Sequence, residues 1–278
     1  MDAITKRNLF TAVILVLCVV QRAAPACAEA QDLHTQAAAA LLARDFNSPD
    51  LSYLLLDGNG QVIAQRWERP ERDLPAGSLV KPFLAAAYGQ THRAFPKFRC
   101  TGKKTCWLAS GHGTLQVRDA LAFSCNSYFH QLVAGAGHDF ARALRSYALH
   151  GTQGPPANKE DPGWAAPLAL AQAYLDLTRH ARDRAVLPVL QGLALSAQKG
   201  TAKAAGAELP HTSVLAKTGT APCTHPKKAP GDGFALVMAP ADHPRAVLLV
   251  RLHGRPGFIA AGVAGRMIAE VEGSEAGQ

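Results

Sequence analysis

The sequence predicts an α+β fold in which an antiparallel β-sheet is flanked by helices and accompanied by a helical lobe. Two apolar runs, at residues 51–56 and 61–67, flank the turn sequence D-G-N-G, a pattern typical of a β-hairpin. Three more apolar runs lie near the other end of the chain, at 213–216, 233–238 and 245–252. The segment between the two groups has helical patterns, so we expect one sheet built from both ends of the chain.

The remaining elements follow from local patterns. The alanine-rich stretch at 32–46 predicts an N-terminal helix, and another helix is expected to begin near Ser78 and continue through the apolar stretch at 83–87. Residues 100–113 and 151–162 are rich in glycine or proline, which predicts irregular loops. Further helices are expected at 120–134 with a corner at Ser124, from 167 onward, at 187–198 and at 258–271.

The first thirty residues have the pattern of a secretory signal peptide. Lys6 and Arg7 precede an uncharged apolar run at 9–20, and A-x-A cleavage patterns follow at 26–28 and 28–30. The run is shorter than the ~20 residues that a spanning helix needs, so a membrane anchor is the less favoured alternative. We therefore expect a signal peptide over 1–30, a folded domain over 31–278, and an exported protein, periplasmic or secreted.

Composition narrows the possible partners. The formal net charge is +8, with 48% hydrophobic and 18% charged residues, which is a globular composition. Basic residues are dispersed, and no basic run is interleaved with aromatic residues, so a nucleic-acid partner is not expected. A basic exported protein suits an anionic cell wall. Nothing in the sequence indicates a cofactor.

The cysteines leave several arrangements open. Two of the six fall in the predicted signal peptide, and the four that remain are Cys100, Cys106, Cys125 and Cys223. In an oxidising compartment four cysteines allow three complete pairings, and Cys100 with Cys106 is the natural local pair. Zinc binding is the competing interpretation, but the chain has no C-x-x-C or H-x-x-x-H motif. A disulfide is therefore expected and a metal site is not.

The stretch around Ser78 and Lys81 has the pattern S-x-x-K. At this spacing the two side chains share one face of a helix, about one turn apart. A serine hydroxyl becomes a good nucleophile only when a base lies within hydrogen-bond reach. A buried lysine with positive neighbours has a lowered pKa and can be that base. The motif alone occurs often by chance.

Two further motifs make a chance occurrence of S-x-x-K a poor explanation. Residues 124–126 read S-C-N, an S-x-N pattern, and residues 217–220 read K-T-G-T. Ser124 follows Ser78 by 46 residues, and Lys217 follows Ser124 by 93. Class A β-lactamases and penicillin-binding proteins combine S-x-x-K, an S-D-N triplet and K-T-G. Over residues 50–270 the chain therefore resembles the penicillin-recognising serine acyltransferases.

Other stretches resemble the transpeptidase domain of class B penicillin-binding proteins in particular. These are C-W at 106–107, G-H-G at 111–113, D-A-L at 119–121 and the helix start at 167–174. The resemblance implies the same α+β arrangement, with an active site between the lobes. Cys125 stands where class A enzymes have aspartate, and we expect its side chain to point away from the cleft. His112 is expected to hold a turn beside the site.

The resemblance also implies catalytic roles. Ser78 would be the nucleophile that forms an acyl-enzyme, and Lys81 would accept its proton. Ser124 would relay a proton to the leaving nitrogen, and Lys217 would supply positive potential for a substrate carboxylate.

Four more residues are implied to bind substrate. Asn126 would hold the substrate amide, while Thr218 and Thr220 would assist in binding the carboxylate. Gly219, which has no side chain, would leave room for substrate along the strand. The backbone N–H groups of Ser78 and Thr220 would form the oxyanion hole.

The expected activity is that of a D,D-transpeptidase or D,D-carboxypeptidase acting on the D-Ala-D-Ala stem peptides of peptidoglycan, with β-lactams as acylating ligands. A class D-like serine β-lactamase and a non-catalytic penicillin-binding or sensor module remain alternatives. Glu160 has a spacing from Ser124 that suits a deacylating glutamate, but the D-P-G-W sequence after it does not match class A enzymes. We expect Glu160 to lie in a surface loop.

Overall fold

The computed structural model describes residues 35–102, 105–147, 163–224 and 229–276. The predicted signal peptide, the predicted loop at 151–162 and Glu160 lie outside these residues. The described helices are α1 at 35–45, α2 (Lys81–Thr91), α3 (Val117–Ala122), α4 (Asn126–Ala134), α5 (Asp139–Arg145), α6 (Pro167–Arg179), α7 (Leu187–Lys199), α8 (Lys203–Ala207) and α9 (Gly257–Ala276). None of the helices in these ranges is both long and apolar enough to cross a bilayer.

Five strands form one antiparallel sheet, in the order β2-β1-β9-β8-β7. They are β1 (Leu51–Asp57), β2 (Val62–Arg66), β7 (Leu215–Ala221), β8 (Asp232–Ala239) and β9 (Ala246–Leu252). Short strand pairs join β3 (Leu74–Pro75) to β6 (Trp164–Ala165) and β4 (Phe98–Cys100) to β5 (Gly113–Leu115). The two early and three late strands thus form the predicted sheet, and the α+β fold is confirmed.

The sheet is buried on both faces. Along β8, Phe234, Leu236 and Met238 belong to one hydrophobic cluster, and the alternating Ala235 and Val237 belong to a second. The first cluster includes the helices of the lobe, and the second includes α1, α8 and α9. Because side chains alternate across a strand, the central strands have to be apolar at nearly every position.

Helix α2 lies in the centre of the molecule. Every residue from Lys81 to Gly89 is buried, and Lys81 is the only charged residue among them. A helix that is apolar on all sides is a core helix, so its single charge needs a specific environment. That environment is provided by the corner between α3 and α4, by the first residue of α4 and by strand β7.

Candidate active site

Ser78 lies in a 3-10 turn, Gly77–Val80, that leads directly into α2. The backbone N–H of Lys81 donates to Ser78 O, so the two residues are one turn apart as predicted. Tyr174, fully buried in α6, donates its hydroxyl to Leu79 O at 2.7 Å. The hydrogen bond from this core tyrosine therefore fixes the turn, while Ser78 itself is half-buried.

The turn is pressed against strand β7. Gly77 has φ +55°, and a Cβ placed on it would lie 2.5 Å from Thr220 O. A Cβ on Gly219 would lie 3.1 Å from Ala76 O. Glycine is needed at Gly77 because it alone adopts this φ at no steric cost and leaves space for the neighbouring backbone. The backbone of the segment before Ser78 therefore packs directly against the backbone of the K-T-G-T strand.

Ser124 forms a strained corner between α3 and α4. Its φ is +50°, the only positive φ of a non-glycine residue in the described ranges. Its carbonyl oxygen accepts a hydrogen bond from Lys81 Nζ at 2.8 Å. Beside the corner, the exposed Trp107 ring donates from Nε1 to Phe123 O at 3.2 Å. Strain of this kind is typical of functional sites, where the surrounding structure maintains it.

The hydroxyl of Ser124 lies between two buried lysines. Lys217 Nζ donates to Ser124 Oγ at 2.9 Å and to Thr218 O at 2.6 Å. Lys81 Nζ lies 3.4 Å from the same Oγ and donates to Asn126 Oδ1 at 2.6 Å. The three predicted motifs therefore meet in one hydrogen-bond network.

The two lysines have no carboxylate partner among the described residues, and their oxygen partners are neutral. Burial lowers the pKa of Lys81 to about 8, and the thiols of Cys125 and Cys106 partly oppose that effect. Burial and the charge on Lys81 lower the pKa of Lys217 well below its usual value. A low-dielectric setting disfavours two adjacent cations, so the pair gives up a proton more readily than exposed lysines do.

The hydroxyl of Ser78 makes no hydrogen bond within the described part of the chain, because Lys81 Nζ is directed to Ser124 and Asn126. Catalytic hydrogen bonds are often long in ligand-free structures and shorten when substrate binds. The structure thus brings Lys81, Ser124, Asn126 and Lys217 into one hydrogen-bond network. Ser78 lies one helical turn before Lys81.

The K-T-G-T strand is fixed by contacts that sequence reasoning missed. Thr218 Oγ1 donates to Thr201 Oγ1 at 2.7 Å, and Thr201 N donates to Ala122 O at 3.0 Å. Thr220 Oγ1 accepts from Gly257 N at 3.2 Å, while the residue remains exposed. No sequence motif identifies Thr201, because its role depends on where α7 ends in space.

Cys100, Cys106, His112 and Cys125 form a second cluster next to this network, which we call the three-cysteine cluster. The Sγ atoms of Cys100 and Cys106 lie 3.6 Å and 3.4 Å from His112 Nδ1. Cys106 Sγ lies 3.9 Å from Cys125 Sγ, and all the donor atoms fall within 4.8 Å of one another. The Cys125 thiol thus belongs to this cluster, and it is also close enough to Lys81 to act on the pKa of that lysine.

The predicted disulfide between Cys100 and Cys106 is wrong for this structure. Both side chains are reduced, because each thiol turns toward His112 Nδ1 rather than pairing with the other. Burial raises the pKa of the Cys100 thiol, but hydrogen bonds with His112 and backbone groups outweigh it and lower that pKa to about 6. Burial raises the pKa of Cys125 to about 12. The contact with His112 thus favours the thiolate form of Cys100, which is the form that binds metals.

The three-cysteine cluster fits a tetrahedral zinc ion. Zinc bonds of about 2.3 Å to sulfur and 2.0–2.1 Å to nitrogen separate two sulfurs by about 3.8 Å and a sulfur from a nitrogen by about 3.6 Å. The observed separations match these values. The absence of C-x-x-C gave no reason to expect such a site, because the ligands come from the end of β4, the loop between β4 and β5, and the Ser124 corner. A bound ion would hold the Ser124 corner in place through Cys125.

Protein purified without chelator is therefore expected to contain zinc in this cluster. Adding Zn²⁺ to chelator-treated protein should raise Tm by about 5–10 °C, the shift for a ligand present at 100 times its Kd. Cys125→Ser should remove most of this response, whereas Ser213→Ala, on an exposed residue, should retain it. Elemental analysis and differential scanning calorimetry measure both quantities. Metal-free protein with an unchanged Tm would contradict the assignment.

Comparison with known proteins identifies the fold. No model of a protein family and no curated protein sequence matches the chain. Among solved structures, it is similar to penicillin-binding protein 2 of Pseudomonas aeruginosa, with a TM-score of 0.67 and 19% identity over 87% of this chain and 74% of that one. The transpeptidase domain of the D,D-transpeptidase FtsI4 from Legionella pneumophila has a TM-score of 0.60 and 19% identity, over 86% and 95%.

A third structure, the TP domain of penicillin-binding protein 3 from Burkholderia pseudomallei, has a TM-score of 0.64 and 18% identity over 88% of this chain and 92% of that one. At identities this low, the structural similarity establishes the shared fold alone. The chain has the fold of the transpeptidase domain of penicillin-binding proteins, as the three motifs predicted.

Proposed function

We propose that the protein is an exported serine acyltransferase that acts on the D-Ala-D-Ala ends of peptidoglycan stem peptides and is acylated by β-lactams. The reaction would be that of a D,D-transpeptidase or a D,D-carboxypeptidase. The observation that carries the proposal is the position of Ser124 Oγ between Lys81 and Lys217, together with Ser78 one helical turn before Lys81. The predicted signal peptide supports export.

In the acylation step, Ser78 Oγ attacks the carbonyl carbon of the penultimate D-Ala or of the β-lactam ring. Lys81 takes the hydroxyl proton, so its neutral form is required. With a pKa of about 8, roughly a tenth of Lys81 is neutral at pH 7, far more than for an exposed lysine. Ser124 then gives its hydroxyl proton to the leaving nitrogen as the carbon–nitrogen bond breaks, and Lys81 returns the proton it took to Ser124 Oγ. An ester on Ser78 and a free amine result.

Substrate would bind along strand β7. The positive charge near Lys217 attracts the terminal carboxylate. Thr220 would donate its hydroxyl to the same carboxylate, and Thr218 would do so after turning its hydroxyl away from Thr201 Oγ1. Gly219 allows the peptide backbone to come close. The Asn126 amide, whose oxygen already accepts from Lys81, has its nitrogen left to donate to the substrate.

The backbone N–H groups of Ser78 and Thr220 would stabilise the oxyanion. Removing one donor of this kind typically lowers the rate by ~10²–10³-fold. The close approach of Gly77 to Thr220 supports this assignment, because it brings the two backbone segments together.

The lifetime of the acyl-enzyme separates this function from that of a β-lactamase. Class D enzymes deacylate with a carbamylated lysine in an apolar pocket, but Lys81 Nζ here lies 2.6 Å from a polar amide oxygen. We therefore expect penicillin to form an adduct on the Ser78 peptide that persists after free drug is removed. Intact-protein and peptide mass spectrometry follow the adduct over time.

Rapid disappearance of the adduct, with catalytic consumption of penicillin, would instead favour a β-lactamase. A sensor module would form the adduct and yet leave a synthetic stem pentapeptide untouched. Release of D-Ala from that peptide is the measurement that separates a sensor from the proposed enzyme.

A further inference from the structure

A second group of metal-binding side chains lies at the far end of the K-T-G-T strand. It contains Cys223, just after β7; Asp232, the first residue of β8; and His253, just after β9. Cys223 Sγ lies 3.5 Å from His253 Nδ1, and Asp232 Oδ1 lies 2.9 Å from the same nitrogen. The three donor atoms fall within 4.8 Å of one another. We call this group the strand-end cluster.

His253 Nδ1 has two close polar neighbours of different kinds, a thiol sulfur and a carboxylate oxygen. A neutral imidazole has at most one hydrogen on Nδ1, so that nitrogen donates well to the thiol or to the carboxylate but not to both. An ion pair between His253 and Asp232 explains the 2.9 Å contact alone. A metal ion bound by all three atoms explains why sulfur, oxygen and nitrogen face one point.

The geometry and surroundings suit zinc. Zinc–ligand bond lengths predict a sulfur–nitrogen separation of about 3.6 Å and a nitrogen–oxygen separation of about 3.3 Å. The first matches the observed distance, and the second requires the carboxylate to move by only a few tenths of an ångström. Asp232 is 1% exposed, and Gly254 N donates to its Oδ1 at 3.3 Å. A backbone donor of this kind orients a ligating carboxylate.

We propose that Cys223 Sγ, Asp232 Oδ1 and His253 Nδ1 bind a zinc ion, with one tetrahedral position left for a fourth ligand. Binding displaces the thiol proton of Cys223 to solvent and leaves a thiolate on the metal, while neutral His253 binds as the tautomer that has its hydrogen on Nε2. The inference goes beyond the proposed acyl transfer, because none of these side chains belongs to the lysine–serine network.

The ion would connect the ends of three strands. Ala221 of β7 pairs with Asp232, and the chain after His253 continues to Gly257. Gly257 N donates to Thr220 Oγ1, and a Cβ on Gly257 would lie 2.2 Å from Gly219 O. Holding His253 to the ends of β7 and β8 therefore fixes the backbone that positions the substrate-binding strand.

Alkylation of wild-type protein tests the proposal directly. Cys223 is half-buried, whereas the cysteines of the three-cysteine cluster are buried, so peptide mass spectrometry reports on it separately. Chelator-treated protein is reacted with iodoacetamide, with and without added Zn²⁺. We expect Zn²⁺ to slow alkylation of Cys223 by about tenfold or more, because a metal-bound thiolate is withdrawn from reaction. An unchanged rate at Cys223 would overturn the proposal.

A matched pair of variants tests the ligand set. Asp232→Asn keeps the shape of the side chain and should weaken Zn²⁺ protection of Cys223 by at least about tenfold, the effect of disturbing even an outer contact of a zinc site. Asp242→Asn, on the exposed β8–β9 turn, should leave it unchanged. Equal protection in both variants would remove Asp232 from the site. Labelling of Ser78 by penicillin is measured separately, so a negative result leaves the proposed acyl transfer unaffected.

Discussion

Replacing Ser78 with alanine is expected to abolish covalent labelling by a fluorescent penicillin. Ser78 is the residue one helical turn from Lys81 and beside strand β7, so no other hydroxyl of the network can take over the attack with the same geometry. Loss of a catalytic serine nucleophile typically lowers the rate by at least about 10⁴-fold. The measurement is the rate of adduct formation, followed by gel fluorescence and confirmed by mass spectrometry.

The control for this variant is Ser213→Ala, which changes an exposed serine outside the network and should label at the wild-type rate. Circular dichroism and Tm establish that both variants are folded. Persistent labelling of Ser78→Ala, mapped to Ser124 or to another serine, would contradict the assignment of the nucleophile.

Lys81→Met is expected to lower the acylation rate by about 10²–10⁴-fold, the usual contribution of a general base. In the wild type the rate should rise with pH through about 8, because only the neutral amine accepts the Ser78 proton. The residual rate of the variant should lack this rise. Stopped-flow acylation between pH 6 and pH 9 (roughly one to two pH units on either side of the shifted pKa) measures both.

Lys81→Met should nevertheless change stability little. Lowering the pKa of Lys81 from 10.5 to about 8 corresponds to about 3 kcal/mol against folding with the lysine charged. Methionine removes that cost, but Asn126 Oδ1 and Ser124 O lose their donor, at about 1–3 kcal/mol for each unsatisfied group. The opposing effects predict a Tm within a few degrees of the wild type. Lys199→Met, on an exposed lysine, is the matched control. If Lys81→Met were acylated at the wild-type rate, Lys81 would be excluded as the general base.

The sheet was predictable because its strands are continuous apolar runs bounded by turn residues. The hairpin pairing of β1 with β2 was predictable as well, but the pairing of β1 with β9 was not, since β9 lies almost 200 residues away in sequence. Local periodicity indicates which residues form a strand, but the order of strands depends on long-range packing. Lys81 begins α2, Ser124 lies between α3 and α4, and Lys217 lies in β7, so the contacts among these motif residues also depend on long-range packing.

The chemistry of the cysteines was the part that sequence spacing described poorly. A short loop between Cys100 and Cys106 favoured a disulfide, yet folding turns both thiols toward His112. The ligands of both clusters come from different elements, so no compact motif marks them. The available signals were a histidine between two cysteines at 106–125, and a cysteine that directly follows the serine of S-x-N.

Strand β7 is also the last strand of the sheet, and this position has a consequence for the solution behaviour of the protein. An unpaired strand edge is a template for another chain and so a hazard for aggregation. Of the seven residues of β7, only Thr220 is exposed, and the turn before α2 packs against the rest. So short an accessible edge does not support an intermolecular sheet. Substitutions at Gly77 that force the turn away from β7 would therefore expose the edge and favour self-association as well as loss of activity.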